Sequence, residues 1–169
     1  MMAPLNFQKW VEENRDLLKP PVSNKVIHLG KDFIVMAVGG PNERTDFHVN
    51  QTEEWFYQIE GSIFLRTVNA SGKFEDIHLN AGDVFLLPAG VPHSPQRSAG
   101  SLGIVIERIR GEGFIDKLQW YCKSCQTKLY EESFPLKNIE TDFGAVFNRY
   151  YNSEHVNCSC GTVNGRRWS

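Results

Sequence analysis

Apolar and polar positions divide the chain into three textures. Over residues 6–18, Phe7, Trp10, Val11, Leu17 and Leu18 recur near helical spacing. Asn6 offers an N-cap oxygen and Pro20-Pro21 stops the pattern, so this stretch predicts a helix. From Lys25 to about Tyr121 the texture changes to short β-rich runs at 33–38, 55–59, 62–68, 74–79, 84–87 and 102–109. Turn-forming clusters separate them: Gly39-Gly40-Pro41-Asn42, Glu60-Gly61, and the stretches 69–72, 80–83 and 88–95. Strands at such short spacing predict an antiparallel sandwich or barrel. Residues 138–151 return to a helical period, with Ile139, Phe143, Val146, Phe147 and Tyr150 on one stripe. The expected fold is therefore mainly β, one domain over 1–169. It has a barrel over about 25–121, an N-terminal helix, and a C-terminal extension over about 122–169 with a helix of its own. The extension is too small to hold together without a metal.

Charge narrows the function classes. Eighteen Lys and Arg against 20 Asp and Glu leave a net charge of −2, so no basic excess is available for nucleic acid or an anionic membrane surface. Arg166-Arg167-Trp168 is too short a basic patch to reverse this. Apolar runs such as 33–38 fall far short of the ~20 residues of a membrane helix. The start, Met-Met-Ala-Pro-Leu-Asn-Phe-Gln-Lys-Trp, lacks the basic-then-apolar order of a secretory signal, so a cytoplasmic protein is expected.

The four cysteines form two close pairs, Cys122-Lys-Ser-Cys125 and Cys158-Ser-Cys160. Without an export signal, disulfides are not expected, and four thiolates complete a tetrahedron around Zn or Fe. The second pair has one intervening residue instead of two, and nearby His155 could replace one thiolate. A redox pair or free thiols is the alternative.

Two further segments carry chemistry. In the first, Arg44, Asp46 and His48 alternate, so an extended strand would turn all three to one face. His48 and Glu54 then straddle a turn and can converge from neighbouring strands, with Glu53 as a competitor for Glu54. The second reads Gly82-Asp-Val-Phe-Leu-Leu-Pro88-Ala-Gly90-Val-Pro-His93-Ser-Pro-Gln-Arg97: a strand, a tight Pro-x-Gly turn, and a histidine opening the return. Two imidazoles and one carboxylate make the facial triad of non-haem Fe(II), which leaves positions open for substrate and O₂. His28 and His78 read as ordinary surface or packing residues, and Trp55, Phe56 and Tyr57 as core and interface aromatics. Neither a dinucleotide fingerprint nor a nucleophilic serine motif is present.

These two segments resemble the paired motifs of the cupin superfamily, a double-stranded β-helix or jelly-roll barrel. Asp46 stands where a first histidine is usual, and Arg97 replaces a closing asparagine. Three strings are similar to the 3-hydroxyanthranilate 3,4-dioxygenase family: Gly39-Gly-Pro-Asn-Glu-Arg-Thr-Asp-Phe-His48, Trp55-Phe-Tyr-Gln58, and Pro92-His-Ser-Pro-Gln-Arg97. The resemblance runs from Asn6-Phe-Gln-Lys-Trp10 into the cysteine pairs, which resemble the second, rubredoxin-like iron site of the microbial form. It implies Fe(II) on His48, Glu54 and His93, substrate contacts on Arg97, Glu107 and Glu54, and an O₂-side contact on Arg44. Arg44 and Glu107 are then the catalytic side chains, and Asp46 is a partner for Arg44 or a ligand. It further implies a second Fe or Zn on Cys122, Cys125, Cys158 and Cys160, with a structural, electron-transfer or iron-supplying role.

The implied reaction opens the ring of 3-hydroxyanthranilate with O₂ to 2-amino-3-carboxymuconate semialdehyde, which leads to quinolinate and NAD. A homodimer is expected, because apolar and aromatic edge segments need cover. Two other readings remain open at this stage: a metal-dependent cupin acting on another substrate, and a non-catalytic ligand-binding cupin with a structural zinc site.

Overall fold

The computed structural model describes residues 3–19 and 23–166. Helix α1 spans Phe7–Asn14 and continues as a 3₁₀ turn over Arg15–Leu18. The Asn6 side chain caps it by accepting from the Lys9 N–H at 3.0 Å, as the sequence predicts. Val11 and Leu18 are buried, but Leu17 is half exposed: adjacent residues cannot share one helical face, so only Leu18 of that pair reaches the core. Pro20 and Pro21, expected to end the helix, lie outside the described residues.

Eleven strands follow: β1 Asn24–Leu29, β2 Phe33–Gly39, β3 Asp46–Val49, β4 Glu54–Glu60, β5 Ser62–Val68, β6 Phe74–Asn80, β7 Val84–Leu87, β8 His93–Arg97, β9 Leu102–Arg108, β10 Asp116–Tyr121 and β11 Lys128–Phe134. They form two antiparallel sheets, ordered β1-β2-β9-β4-β7 and β11-β10-β3-β8-β5-β6. The sheets pack face to face over Met36, Phe56, Ile63, Leu65, Leu79, Leu87 and Val105, and α1 lies on Ala37 and Leu102. This is the mainly β barrel the turn spacing predicts.

Three strands were not foreseen. The run Asn24–Leu29 carries too few apolar residues to stand out. β10 and β11 alternate only weakly, because each has polar side chains at inward positions. β11 pairs with β10 from Lys128 to Phe134, so the second sheet continues past Tyr121 into the C-terminal stretch. Helix α2 spans Asp142–Tyr151 and begins four residues later than the 138–151 pattern suggests. The Asp142 carboxylate accepts from the Lys137 and Asn138 N–H groups at 2.8 Å each, which holds the preceding residues in a turn. Val146 and Tyr150 bury the α2 stripe against Leu118 and Trp120 of β10, with Tyr150 stacked on Trp120 at 4.4 Å. No helix among the described residues is long and apolar enough to cross a membrane.

Candidate metal centres and cavity

Strand register brings the first cluster together. His48 of β3 lies opposite His93 of β8 in one sheet, and Glu54 of β4 lies opposite Glu107 of β9 in the other. The sheets face each other, so both pairs meet across the barrel interior. The turn before His93 uses Gly90 at φ +76, where its N–H donates to the Asn50 carbonyl at 2.7 Å and ties this turn to the end of β3. His48, Glu54 and His93 present ligand atoms within 4.8 Å of one another, and all three are buried. Glu54 spans the histidines, with Oε1 3.4 Å from His48 Nδ1 and Oε2 3.3 Å from His93 Nε2. Glu53 is exposed and outside the cluster.

Outer contacts orient both rings. His93 Nδ1 faces the Val91 carbonyl at 3.1 Å, so that nitrogen carries the proton and Nε2 turns its lone pair to the cluster. His48 Nε2 lies 2.6 Å from Asp116 Oδ2, leaving Nδ1 for the cluster. Burial disfavours the charged His48 ring, but hydrogen bonds to Asp116 and Glu54 outweigh it and push the imidazole up to about 9. Burial likewise opposes ionisation of Glu54, yet the two histidines hold its carboxyl well below the usual range. A buried cluster that holds a proton on the His48 ring and charge on its carboxylate is one a cation can take over. Two imidazoles and a carboxylate, all buried and convergent, fit a borderline divalent metal with open positions.

The cluster opens into a cavity of about 660 Å³ that is also lined by Arg44, Arg97, Glu107 and Phe143. The Gly40 to Arg44 loop is sewn to β8: Asn42 Nδ2 donates to the Pro95 carbonyl at 2.8 Å, and Asn42 Oδ1 accepts from the Arg97 N–H at 2.8 Å. Gly40 permits this closeness, since a Cβ there would stand 2.2 Å from the Ser98 carbonyl oxygen. The two arginines consequently face the same space but differ in company. Arg44 is bound by both oxygens of Asp46, with Nε–Oδ1 at 3.1 Å, so Asp46 is its partner and no member of the metal cluster. Arg97 is 6 % exposed, and its Nη1 is buried without a hydrogen-bond partner. Burial, together with the nearby Arg44 charge, lowers its guanidinium to about 9. A buried cation with an open donor is a site for an anion.

Glu107 is 3 % exposed and accepts from Asn50 Nδ2 at 3.0 Å and Arg110 Nη1 at 2.7 Å. Burial and the opposing Glu54 raise its carboxyl above the usual range. Asn50 also donates to Glu54 Oε1 at 3.1 Å, so it separates the two carboxylates. Sequence reasoning missed Asn42, Asn50, Arg110 and Asp116. Asp116 left a signal: with Leu118 and Trp120 it occupies the buried phase of β10, where a carboxylate demands a partner.

The second cluster lies at the far end of α2. Cys122, Cys125, Cys158 and Cys160 gather their sulfurs within 4.8 Å of one another. Each pair sits on a tight turn of the same design. Cys122 N–H donates to the Thr127 carbonyl at 2.8 Å and Cys158 N–H to the Thr162 carbonyl at 2.9 Å. Thr127 and Thr162 each place Oγ1 3.3 Å from the outer sulfur of their own turn. The Cys158 turn is one residue shorter, yet it delivers both sulfurs. His155 packs its ring at a tilt against Tyr130, 5.1 Å away, and is outside the cluster. Backbone donors outweigh burial and bring the Cys122 thiol down to about 6. Cys158 is pushed up to about 12, because burial and the neighbouring sulfurs outweigh the Cys160 backbone donor. Four clustered sulfurs with opposed acidities share protons until a cation replaces them.

Residues 1–151 match the family model described as 3-hydroxyanthranilic acid dioxygenase. The chain belongs to the 3-hydroxyanthranilic acid dioxygenase family. Relatives named 3-hydroxyanthranilate 3,4-dioxygenase include one from Xanthomonas euvesicatoria, 57 % identical over 90 % of this chain and 86 % of its own. Another, from Candida albicans, is 48 % identical over 97 % of this chain and 96 % of its own, so similarity to the family runs through the cysteine region. Among solved structures, a cupin-2 domain protein from Shewanella frigidimarina superposes with a TM-score of 0.50 at 24 % identity, covering 62 % of this chain and 94 % of its own. That likeness concerns the fold, and it agrees with the cupin barrel expected from the two motifs.

Proposed function

We propose that this family member opens the aromatic ring of 3-hydroxyanthranilate with O₂, giving 2-amino-3-carboxymuconate semialdehyde on the way to quinolinate and NAD. The observation that carries the reading is the unpaired, buried Arg97 facing the His48–Glu54–His93 cluster across one cavity. Arg97 meets the substrate carboxylate with two parallel hydrogen bonds, for which a planar guanidinium is suited. His48, Glu54 and His93 would hold Fe(II), which when bound would supply a Lewis acid to favour the ionised phenol and to activate O₂. Glu107, whose proton affinity is raised, accepts a hydrogen bond from the amine and holds a proton at its carboxyl oxygen. Arg44, locked by Asp46, keeps a fixed positive charge on the O₂ side where negative charge develops. Phe143, with its ring 5.1 Å from that of His48, excludes water from the ligand side.

The cysteine cluster takes a second Fe or Zn in a closed tetrahedron, which suits a structural or electron-transfer part. Free thiols of this kind suit a reducing compartment, and the cytoplasm is the proposed location. Barrel and extension act as one domain, because β11 and α2 complete the sheet and core that β10 begins. The partner is a second copy of the chain. On the outer face of the first sheet, Val84 and Leu86 are 59 % and 52 % exposed beside Tyr57 and Trp55, and a homodimer covers them.

The deciding experiment loads the protein anaerobically with Fe(II), adds 3-hydroxyanthranilate, and follows O₂ uptake with absorbance of the ring-opened product. One O₂ consumed per product formed is the expected result. An iron-replete sample that takes up no O₂ overturns the reading. Sedimentation of Leu86→Glu against the unaltered chain tests the dimer: an unchanged mass would remove that face.

A further inference from the structure

Arg110 lies just beyond β9, behind the catalytic cluster, and lines no part of the cavity. Its side chain is 5 % exposed, and its guanidinium is divided between two carboxylates. Nε and Nη2 donate to Asp116 at 3.0 and 2.7 Å, while Nη1 donates to Glu107 Oε2 at 2.7 Å. Asp116 in turn holds the His48 ring at 2.6 Å. Glu107 faces the cavity. A single planar group therefore joins the carboxylate that orients a metal ligand to the carboxylate that faces the substrate. Burying one cation and two anions is weak support for stability by itself, since apolar packing serves that purpose as well. What the guanidinium adds is a fixed angle between two carboxylates, which no point charge provides.

We propose that Arg110 is a positioning residue that registers the His48 ring and the Glu107 carboxylate to each other, so that metal and substrate meet in one geometry. The substrate half of this inference rests on the function proposed above. The metal half does not.

The test uses the full chain with Arg110→Gln, Arg110→Lys and Asp116→Asn. Co(II) alone is titrated into each against a chelator. The catalytic centre is read by its ligand-field bands, which are distinct from the sulfur charge-transfer bands of the cysteine cluster. Arg110→Gln weakens metal binding at the catalytic centre about 10- to 100-fold, the range for lost outer-shell partners, and leaves the cysteine cluster unchanged. Asp116→Asn does the same. The double variant Arg110→Gln with Asp116→Asn is no worse than the stronger single one, because both break one connection. Arg110→Lys recovers only part of the affinity. In turnover, Arg110→Gln also raises KM more than it lowers kcat, whereas Asp116→Asn, which leaves the Arg110–Glu107 contact, does not raise KM. A folded Arg110→Gln protein with unchanged metal affinity and KM overturns the proposal, whatever its melting temperature. If Arg110→Gln does not fold, Arg110→Lys decides the metal half: an affinity equal to that of the unaltered protein overturns it. If the unaltered protein proves inactive on 3-hydroxyanthranilate, the functional reading fails while the substrate-free Co(II) titration still decides this one.

Discussion

His48, Glu54 and His93 stand on three strands in two sheets, brought together by ladder register and the packing of one sheet on the other and tied by side chains distant in sequence such as Asp116. Cys122, Cys125, Cys158 and Cys160 stand on two short turns, each held by its own backbone hydrogen bonds. The first cluster is buried throughout, offers three donors and opens into a cavity. The second offers four donors, two of them exposed, enough by themselves to complete a tetrahedron. The contrast shows how one small chain separates two candidate metal sites. A donor set that is one short and buried suits reactivity, and a set that is complete and local suits cross-linking.

The largest effect should come from breaking the strand-built site. His93→Ala should abolish activity and remove the catalytic metal while the cysteine metal stays, so metal analysis should fall from two ions per chain to one. A fully active, iron-loaded His93→Ala protein would sink the assignment. The reciprocal change, Cys125→Ser with Cys160→Ser, should remove the other ion and lower the melting temperature, with the His48–Glu54–His93 centre still loaded. If both ions leave together, the two sites are not independent. Arg97→Ala keeps both metals and should raise KM about 10- to 100-fold with a smaller change in kcat, as expected for losing a charge-assisted pair. Steady-state kinetics at saturating O₂ measures it.

A graded effect, with no residue replaced, is a pH dependence of the metal-free protein. His48 has a folded value of about 9 against 6.5 unfolded, so its contribution to stability is complete below about 6.5 and is lost as the pH rises through 9. The same proton competes with metal, so affinity of the catalytic centre should rise up to about tenfold per pH unit until about pH 9. Denaturant melts and metal titrations across pH 6 to 10, a range chosen around those values, would show both slopes. A flat profile for either would mean that Asp116 and Glu54 do not hold the proton.

The turn-built cluster was readable because its signal is local: two Cys pairs declare themselves in a few residues. The barrel was readable for a related reason, since turn residues recur between short apolar runs. The strand-built ligands needed more. Alternation places Arg44, Asp46 and His48 on one face, and the Pro88-Ala-Gly90 turn sets His93 at the start of a strand, but which strand faces which is a property of the sheet order. Only the motif likeness supplied that step. Asn50 and Arg110 could not be read at all. Their importance lies in contacts to Glu54, Glu107 and Asp116, which are distant in sequence and meet only once the register is fixed. The shortened helix α2 was misjudged because side-chain bonds of Asp142 compete with the first turn of an otherwise good helical pattern.

One wall of the catalytic cavity, at Phe143 and Phe147, is made by α2 and not by either ladder. Bulk added or removed at Phe147 changes what fits inside without altering a strand pairing, whereas Phe143 also packs its ring 5.1 Å from that of His48. The helix thus gives the cavity a boundary whose size can be adjusted from outside the two ladders.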